Sequence, residues 1–144
     1  MSDRTLADLI ERIVLAGVAV TTRALTEAAP AYDLTFPQWR VLLIVGEGPN
    51  GATVSEVSSR VGVTVPATSR QLRRLARRGL VEIAQDERDR RAARARLTSV
   101  GLGVRDAILR YRHERIAETA ATVRVSSGTV RELARVADAF DVHR

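Results

Sequence analysis

The chain has 144 residues, enough for one domain of ordinary size and too few for two large ones. It is 45% hydrophobic and 28% charged, the composition of a folded, soluble protein, and its lack of cysteine excludes disulfides, thiolate metal sites and a cysteine nucleophile. The net charge is +6, yet aromatics make up only 3% and the two histidines, His113 and His143, lie far apart, so a histidine-built metal site and a base-stacking platform both lack their residues.

Residues 4–29 read as a long helix, with Leu6, Leu9, Ile10, Ile13, Val14, Gly17 and Val20 at helical spacing and Pro30 as its stop. Thr35 and Gln38 form a capping box with Pro37 in the first turn, so a second helix runs to about Gly46. Its apolar Trp39, Leu42, Leu43 and Val45 make it the most buried helix expected. Residues 47–51 are a loop by their turn residues. Thr53 and Glu56 form a second capping box, opening a short helix that Gly62 ends. Thr64 then caps a helix that has Pro66 in its first turn, runs to about Arg78 and is closed by Gly79. Two short helices joined by a tight glycine-bearing turn are a helix-turn-helix.

Residues 80–84 alternate in the strand manner and 94–97 form a returning strand, with a charged loop at 85–92 between them. Helix, turn, helix and a hairpin with a charged tip describe a winged helix. A third long helix opens at Thr98 or Ser99 and fades near Val125. A last helix, capped by Ser126 or Ser127, carries Val130, Leu133, Val136, Ala137 and Phe140. The expected fold is mainly α with a small β-hairpin, a single domain over 1–144.

Every basic side chain is an arginine. Residues 60–96 hold eleven arginines and four acids, a local charge of +7, while the rest of the chain holds twelve arginines and thirteen acids. A field concentrated in one quarter of a chain attracts a polyanion. At 100° per residue, Val65, Thr68, Leu72, Leu75 and Ala76 share one face of the helix after Thr64, and Arg70, Arg74 and Arg77 share the opposite one, flanked by Arg73 and Arg78. Ala67 and Ser69 are small and permit close approach. Guanidinium reads guanine O6 and N7 with two bonds, which assigns Arg70 and Arg74 to base edges and Arg73, Arg77 and Arg78 to phosphates. The loop residues Arg88, Asp89, Arg90 and Arg91 suit a narrow minor groove, Asp89 holding a neighbouring arginine such as Arg91 extended.

The segments LTFPQWRVLLIV (34–45), TVSEVSSRVGV (53–63), SRQLRRLARRGLVE (69–82) and DERDRRAARARLTSVG (86–101) resemble the MarR family of bacterial transcription regulators. The resemblance implies a winged helix-turn-helix DNA-binding region at 34–98 flanked by helical dimerisation regions at 1–30 and 99–144. It implies an obligate homodimer, a recognition helix at 65–78, and an Asp89–Arg91 wing pair with Arg91 in the minor groove. It also implies a repressor of pseudo-palindromic operators that a small, often phenolic, molecule relieves. The absence of cysteine departs from the peroxide-sensing members, and Arg73 stands where many relatives carry an acid. A dimer would set its recognition helices about 34 Å apart, one duplex turn. Tyr32, Trp39 and Tyr111 are candidates to line an effector pocket.

Two other classes compete. One is a winged-helix module for protein contacts, which weak salt dependence of nucleic-acid binding would favour. The other is a non-specific nucleic-acid-binding protein; RNA in particular lacks support from aromatics or a Gly-x-x-Gly element. An enzyme is disfavoured, because no phosphate-cradling loop or carboxylate pair is apparent, and no catalytic residue, metal or cofactor is expected. No apolar run approaches the ~18 residues of a membrane span. The start carries Asp3, Asp8 and Glu11 and lacks the features of a signal peptide, so a cytoplasmic location is expected.

Overall fold

The structure is a computed structural model that describes residues 3–141; His143 lies outside them. Helix α1 (Asp3–Glu27) ends two residues before the expected 29. Pro30 does more than stop it, since it opens a single 3-10 turn (Pro30–Tyr32) that finishes on Asp33 at a φ of 42°. Helix α2 (Phe36–Val45) then starts on a complete capping box. Thr35 Oγ1 accepts from the Gln38 N–H at 3.4 Å, and Gln38 Oε1 accepts from the Thr35 N–H at 3.1 Å. As expected, α2 is the most buried helix, with Gln38, Trp39, Val41, Leu42, Ile44 and Val45 all inside.

Helix α3 (Val54–Val61) starts on the Thr53–Glu56 box and ends at Gly62, whose φ of 78° needs a residue without a Cβ. Helix α4 (Val65–Arg77) follows, capped by Thr64 and ended before Gly79 at a φ of 71°. A short strand β1 (Ala52–Thr53) precedes α3. The expected hairpin is present as strands β2 (Val81–Gln85) and β3 (Ala93–Leu97), in antiparallel register with Ile83 opposite Ala95. Strand β1 pairs on the other edge of β3, so the sheet order places β3 in the middle. Two residues cannot display a period of two, so β1 has no signature in the sequence. Helix α5 (Ser99–Ala121), shorter than its expected end near Val125, is capped by Thr98, and helix α6 (Ser127–Asp141) by Ser126.

Trp39, Leu42, Val57, Leu72, Leu75, Leu80, Ala95 and Ile108 form the centre of the core, with α1 contributing Ala24 and Leu25. Val65, expected on the packed stripe of α4, is 47% exposed. It stands at the first helical position, beyond the turns that dock, and burial begins at Thr68. Helix α6 contributes no buried residue, and α1 displays Leu6, Leu9, Ile13, Val14, Leu15 and Val18 to solvent.

The first turn of α5 sits directly on the start of β2. The Thr98 N–H donates to the Leu80 carbonyl at 3.1 Å, and a Cβ on Gly101 would collide with that same oxygen. Gly101→Ala is therefore expected to destabilise the fold by about 1–3 kcal/mol in chemical denaturation, because backbone has to move. Gly103→Ala, which meets nothing within 4 Å, is expected to be neutral or to stabilise by up to ~1 kcal/mol through helix propensity.

Candidate nucleic-acid interface

The turn into α4 is held from three sides. Thr64 Oγ1 accepts from the Ala67 N–H at 3.4 Å, and the Ser58 hydroxyl donates to the Val63 carbonyl at 2.6 Å. From α2, Arg40 donates to the Arg60 and Val61 carbonyls at 3.3 and 3.5 Å, the last carbonyls of α3, which have no helical partner of their own. On that base, Thr68, Leu72 and Leu75 bury one side of α4, and Arg70, Arg73, Arg74 and Arg77 are exposed on the other. Ala67 and Ser69 are half-buried near the helix start. Arg73 donates to Ser69 Oγ at 3.1 Å, along its own helix. The guanidiniums of Arg70, Arg74 and Arg77 have no partner among the described residues.

Arg78 is placed differently. Its Nη1 donates to the Tyr32 carbonyl at 2.8 Å and reaches the Asp33 carbonyl at 3.4 Å and Gln38 Oε1 at 3.3 Å. The structure thus brings Arg70, Arg73, Arg74 and Arg77 together as one display and engages Arg78 with the start of α2. Local periodicity cannot foresee a contact across 46 residues.

In the loop between β2 and β3, the carboxylate that organises the turn is Asp86, only 4% exposed. Its Oδ1 accepts from the Arg88 and Asp89 N–H groups at 2.8 and 2.9 Å, and its Oδ2 pairs with Arg94 Nε. Arg94 also donates to the Gly51 carbonyl at 3.2 Å, tying the loop to the chain ahead of α3. The Arg94 contact first, then the Asp89 and Arg88 N–H groups, hold the Asp86 carboxyl down at about 2. The expectation that Asp89 holds the Arg91 side chain is corrected: Asp89 Oδ1 accepts from the Arg91 backbone N–H at 2.9 Å, and the arginine held by a carboxylate is Arg94. An aspartate two and three residues ahead of free N–H groups favours such a turn, so the sequence does carry a signal for Asp86 that charge counting passes over. Arg88, Arg90 and Arg91 are exposed at the tip, and their guanidiniums have no partner among the described residues.

The three aromatic candidates belong to the packing of the body. Trp39 is 1% exposed inside the core, with Tyr32 and Tyr111 half-buried against it. The Tyr111 hydroxyl donates to Glu27 Oε2 at 2.6 Å, joining α5 to α1. None of the three lines the apolar groove of about 400 Å³ between α1 and α6, whose walls include Leu6, Ile13, Leu133 and Phe140. Among the described residues, no helix is long and apolar enough to cross a membrane, and no three His, Cys, Asp or Glu side chains are grouped to hold a metal.

Residues 32–92 match the MarR family. A transcriptional repressor of Pseudomonas putida, IacR, is 37% identical over 71 residues, 49% of this chain and 41% of that protein. The chain thus spans about two fifths of the length of the curated relative it matches. Among solved structures, Rv1404 of Mycobacterium tuberculosis superposes with a TM-score of 0.83 at 23% identity, over 98% of this chain and 95% of that one. FabT of Streptococcus pneumoniae, crystallised with DNA, superposes with a TM-score of 0.78 at 18% identity, over 98% and 96%. At these identities the structural matches establish the fold.

The Asp86 contacts make stability depend on pH in a defined direction. A carboxyl held below its ordinary 3.8 favours the folded state above that value, and the contribution fades as pH falls through about 2. In denaturant titrations, Asp86→Asn is expected to be less stable than wild type at neutral pH. The gap should narrow steadily from pH 3.8 toward 2, and a gap independent of pH would refute the pairing.

Proposed function

We propose, from the premise that the chain belongs to the MarR family through its central segment, that it is a homodimeric, sequence-specific DNA-binding repressor. The observation that carries this reading is the display of Arg70, Arg73, Arg74 and Arg77 on one face of α4, with Arg88, Arg90 and Arg91 on the adjoining loop. Family members are transcription regulators, and no catalytic role is proposed.

Helix α4 enters the major groove. Arg70 and Arg74, free of partners within the chain, make two-bond contacts to guanine edges, while Arg73 and Arg77 meet phosphates. Ala67 and Ser69 leave room for the backbone, and the exposed Val65 offers an apolar surface to a thymine methyl. Arg91, with Arg88 and Arg90 beside it, enters the flanking minor groove, where potential is most negative. The Asp89 carboxylate is engaged with the Arg91 N–H, which keeps part of its charge satisfied within the turn.

A second copy covers the uncovered faces of α1 and α6. Contiguous apolar surface of that kind marks an interface, and a two-fold pair reads a site with two-fold symmetry. Repression is supported by the similarity to the Pseudomonas putida protein, itself a transcriptional repressor. Relief by a small molecule rests on the family resemblance, with Tyr32 and Tyr111 at the junction of α1, α2 and α5 as the side chains nearest such a role. The proposed location is the cytoplasm, where the operator is.

The test is selection of bound duplexes from a random pool, with sedimentation of the free protein. A dimer and an enriched site with two-fold symmetry are expected; a monomer, or binding indifferent to sequence, overturns the reading. Arg70→Ala should weaken binding to the selected site by ~1–3 kcal/mol and relax preference at one position. Arg91→Ala should lower affinity and reduce the slope of log K against log salt by about one, because one phosphate fewer is neutralised. A protein-interaction module would show neither effect.

A further inference from the structure

We propose that Arg78 is a positioning residue: it locks the C-terminal end of α4 to the start of α2 and governs DNA binding through that joint, without touching phosphate. The proposal rests on the DNA-binding reading above and assigns one of its arginines a different task.

The geometry begins at the helix end. Arg78 is the C-cap of α4, and its N–H donates to the Leu75 carbonyl at 3.2 Å before the chain reverses at Gly79. From there its side chain crosses to a part of the chain that is remote in sequence. The Tyr32 carbonyl at 2.8 Å takes one Nη1 proton, and the Asp33 carbonyl and Gln38 Oε1, at 3.4 and 3.3 Å, share the other. Neither carbonyl pairs with a backbone N–H among the described residues, so the guanidinium supplies what this turn lacks. Gln38 is itself fixed, 5% exposed and already bound to the Thr35 N–H. A cationic donor held against buried and turn acceptors is directional and stronger than a neutral hydrogen bond.

Along its length α4 has no other directional hold on its neighbours, since the hydrogen bonds of Ser58, Arg40 and Thr64 act at its N-terminal turn and that of Thr98 at Gly79 beyond its C-cap. Thr68, Leu72 and Leu75 dock the helix through apolar burial, which resists separation far better than it resists a small rotation. Arg70 lies about 12 Å along the axis from Arg78, so a tilt of about 5° at the joint displaces it by about 1 Å. A two-bond contact to a base edge does not survive that shift intact. The joint also sits beside the 3-10 turn that follows α1, so α4 is referred to the helical body and not only to its partner α3.

The experiment uses the full chain in two measurements. In the free protein, amide hydrogen exchange at Tyr32 and Thr35 is expected to be about tenfold faster in Arg78→Gln than in wild type, which corresponds to a fall of ~1.4 kcal/mol in local stability. On the selected duplex, Arg78→Gln is expected to bind about tenfold more weakly with an unchanged salt slope, whereas Arg77→Gln reduces the slope by about one unit. Arg78→Lys, whose ammonium also carries several donors, should restore part of both effects. Gln38→Met leaves the cation in place and removes an acceptor. Because it also removes the acceptor of the Thr35 N–H, its exchange is read at Tyr32 alone, where it should likewise be faster, with weaker binding at unchanged slope, and it serves if Arg78→Gln does not fold.

Unchanged exchange in the variants overturns the proposal. So does a fall of about one unit in the Arg78→Gln slope with normal exchange, which would make Arg78 a phosphate contact. A wild-type chain that ignores duplex DNA overturns the functional reading first, before any variant is compared, and the positioning role falls with it.

Discussion

Guanidinium groups that meet backbone carbonyls and carboxylates decide how this protein presents its charge. With no lysine in the chain, every cationic side chain is a planar fork with five donors, and a fork that finds fixed acceptors becomes part of the frame. Arg40 closes the end of α3, Arg94 ties the β2–β3 loop to Gly51, and Arg105 joins α5 to the Gly46 carbonyl at the end of α2. Arg96 donates to the Asn50 carbonyl, on the same loop that Arg94 secures. Each contact bridges elements that the chain itself connects only through long detours. Within residues 60–96, the arginines that find no carbonyl or carboxylate are left on one side of α4 and at the loop tip.

The capping residues explain why so much of the fold is legible in the sequence. The Thr35–Gln38 and Thr53–Glu56 boxes, Thr64 and Thr98 act on groups three residues away, and Gly62 and Gly79 satisfy a local demand for positive φ. Such signals need no knowledge of the tertiary structure. What stays hidden is what depends on it. Arg78 reads as one more basic residue beside Arg77 until Tyr32 and Gln38 are placed next to it. Asp86 and Asp89 are interchangeable as charges, and what distinguishes them is that Asp86 takes two turn N–H groups and receives Arg94 from the returning strand. Val65 fits the apolar stripe of α4 by angle, yet it lies beyond the end of the packed surface.

The two ends of the chain obey the same logic with apolar groups in place of charges. In α2 and α4 the apolar side chains beyond the first position, occupied by Phe36 and Val65, are largely covered by neighbours within the chain, whereas in α6 none is buried and in α1 burial is confined to its last turns. A helix of 15 residues gains little from propensity alone in water. Its stability has to come from an apolar face that something covers. In the proposed dimer, association and completion of the terminal helices are one event, so the separation of the two recognition helices is set by the same contacts that make those helices stable.

The division of the arginines also limits how strongly salt can act. Eleven arginines lie in residues 60–96, but Arg78, Arg94 and Arg96 are engaged with carbonyls or carboxylates, and Arg60 pairs with Glu47 at 2.6 Å. Seven remain on α4 and the loop tip, and Arg73 among them shares its donors with Ser69. Each phosphate neutralised contributes a slope of about −0.9 in log K against log salt. In the proposed DNA complex, net charge alone therefore overstates the electrostatic reach of the segment, because a guanidinium committed to the frame neutralises no phosphate. The affinity available from charge is set by the unpaired set, and the orientation in which it is delivered by the paired one.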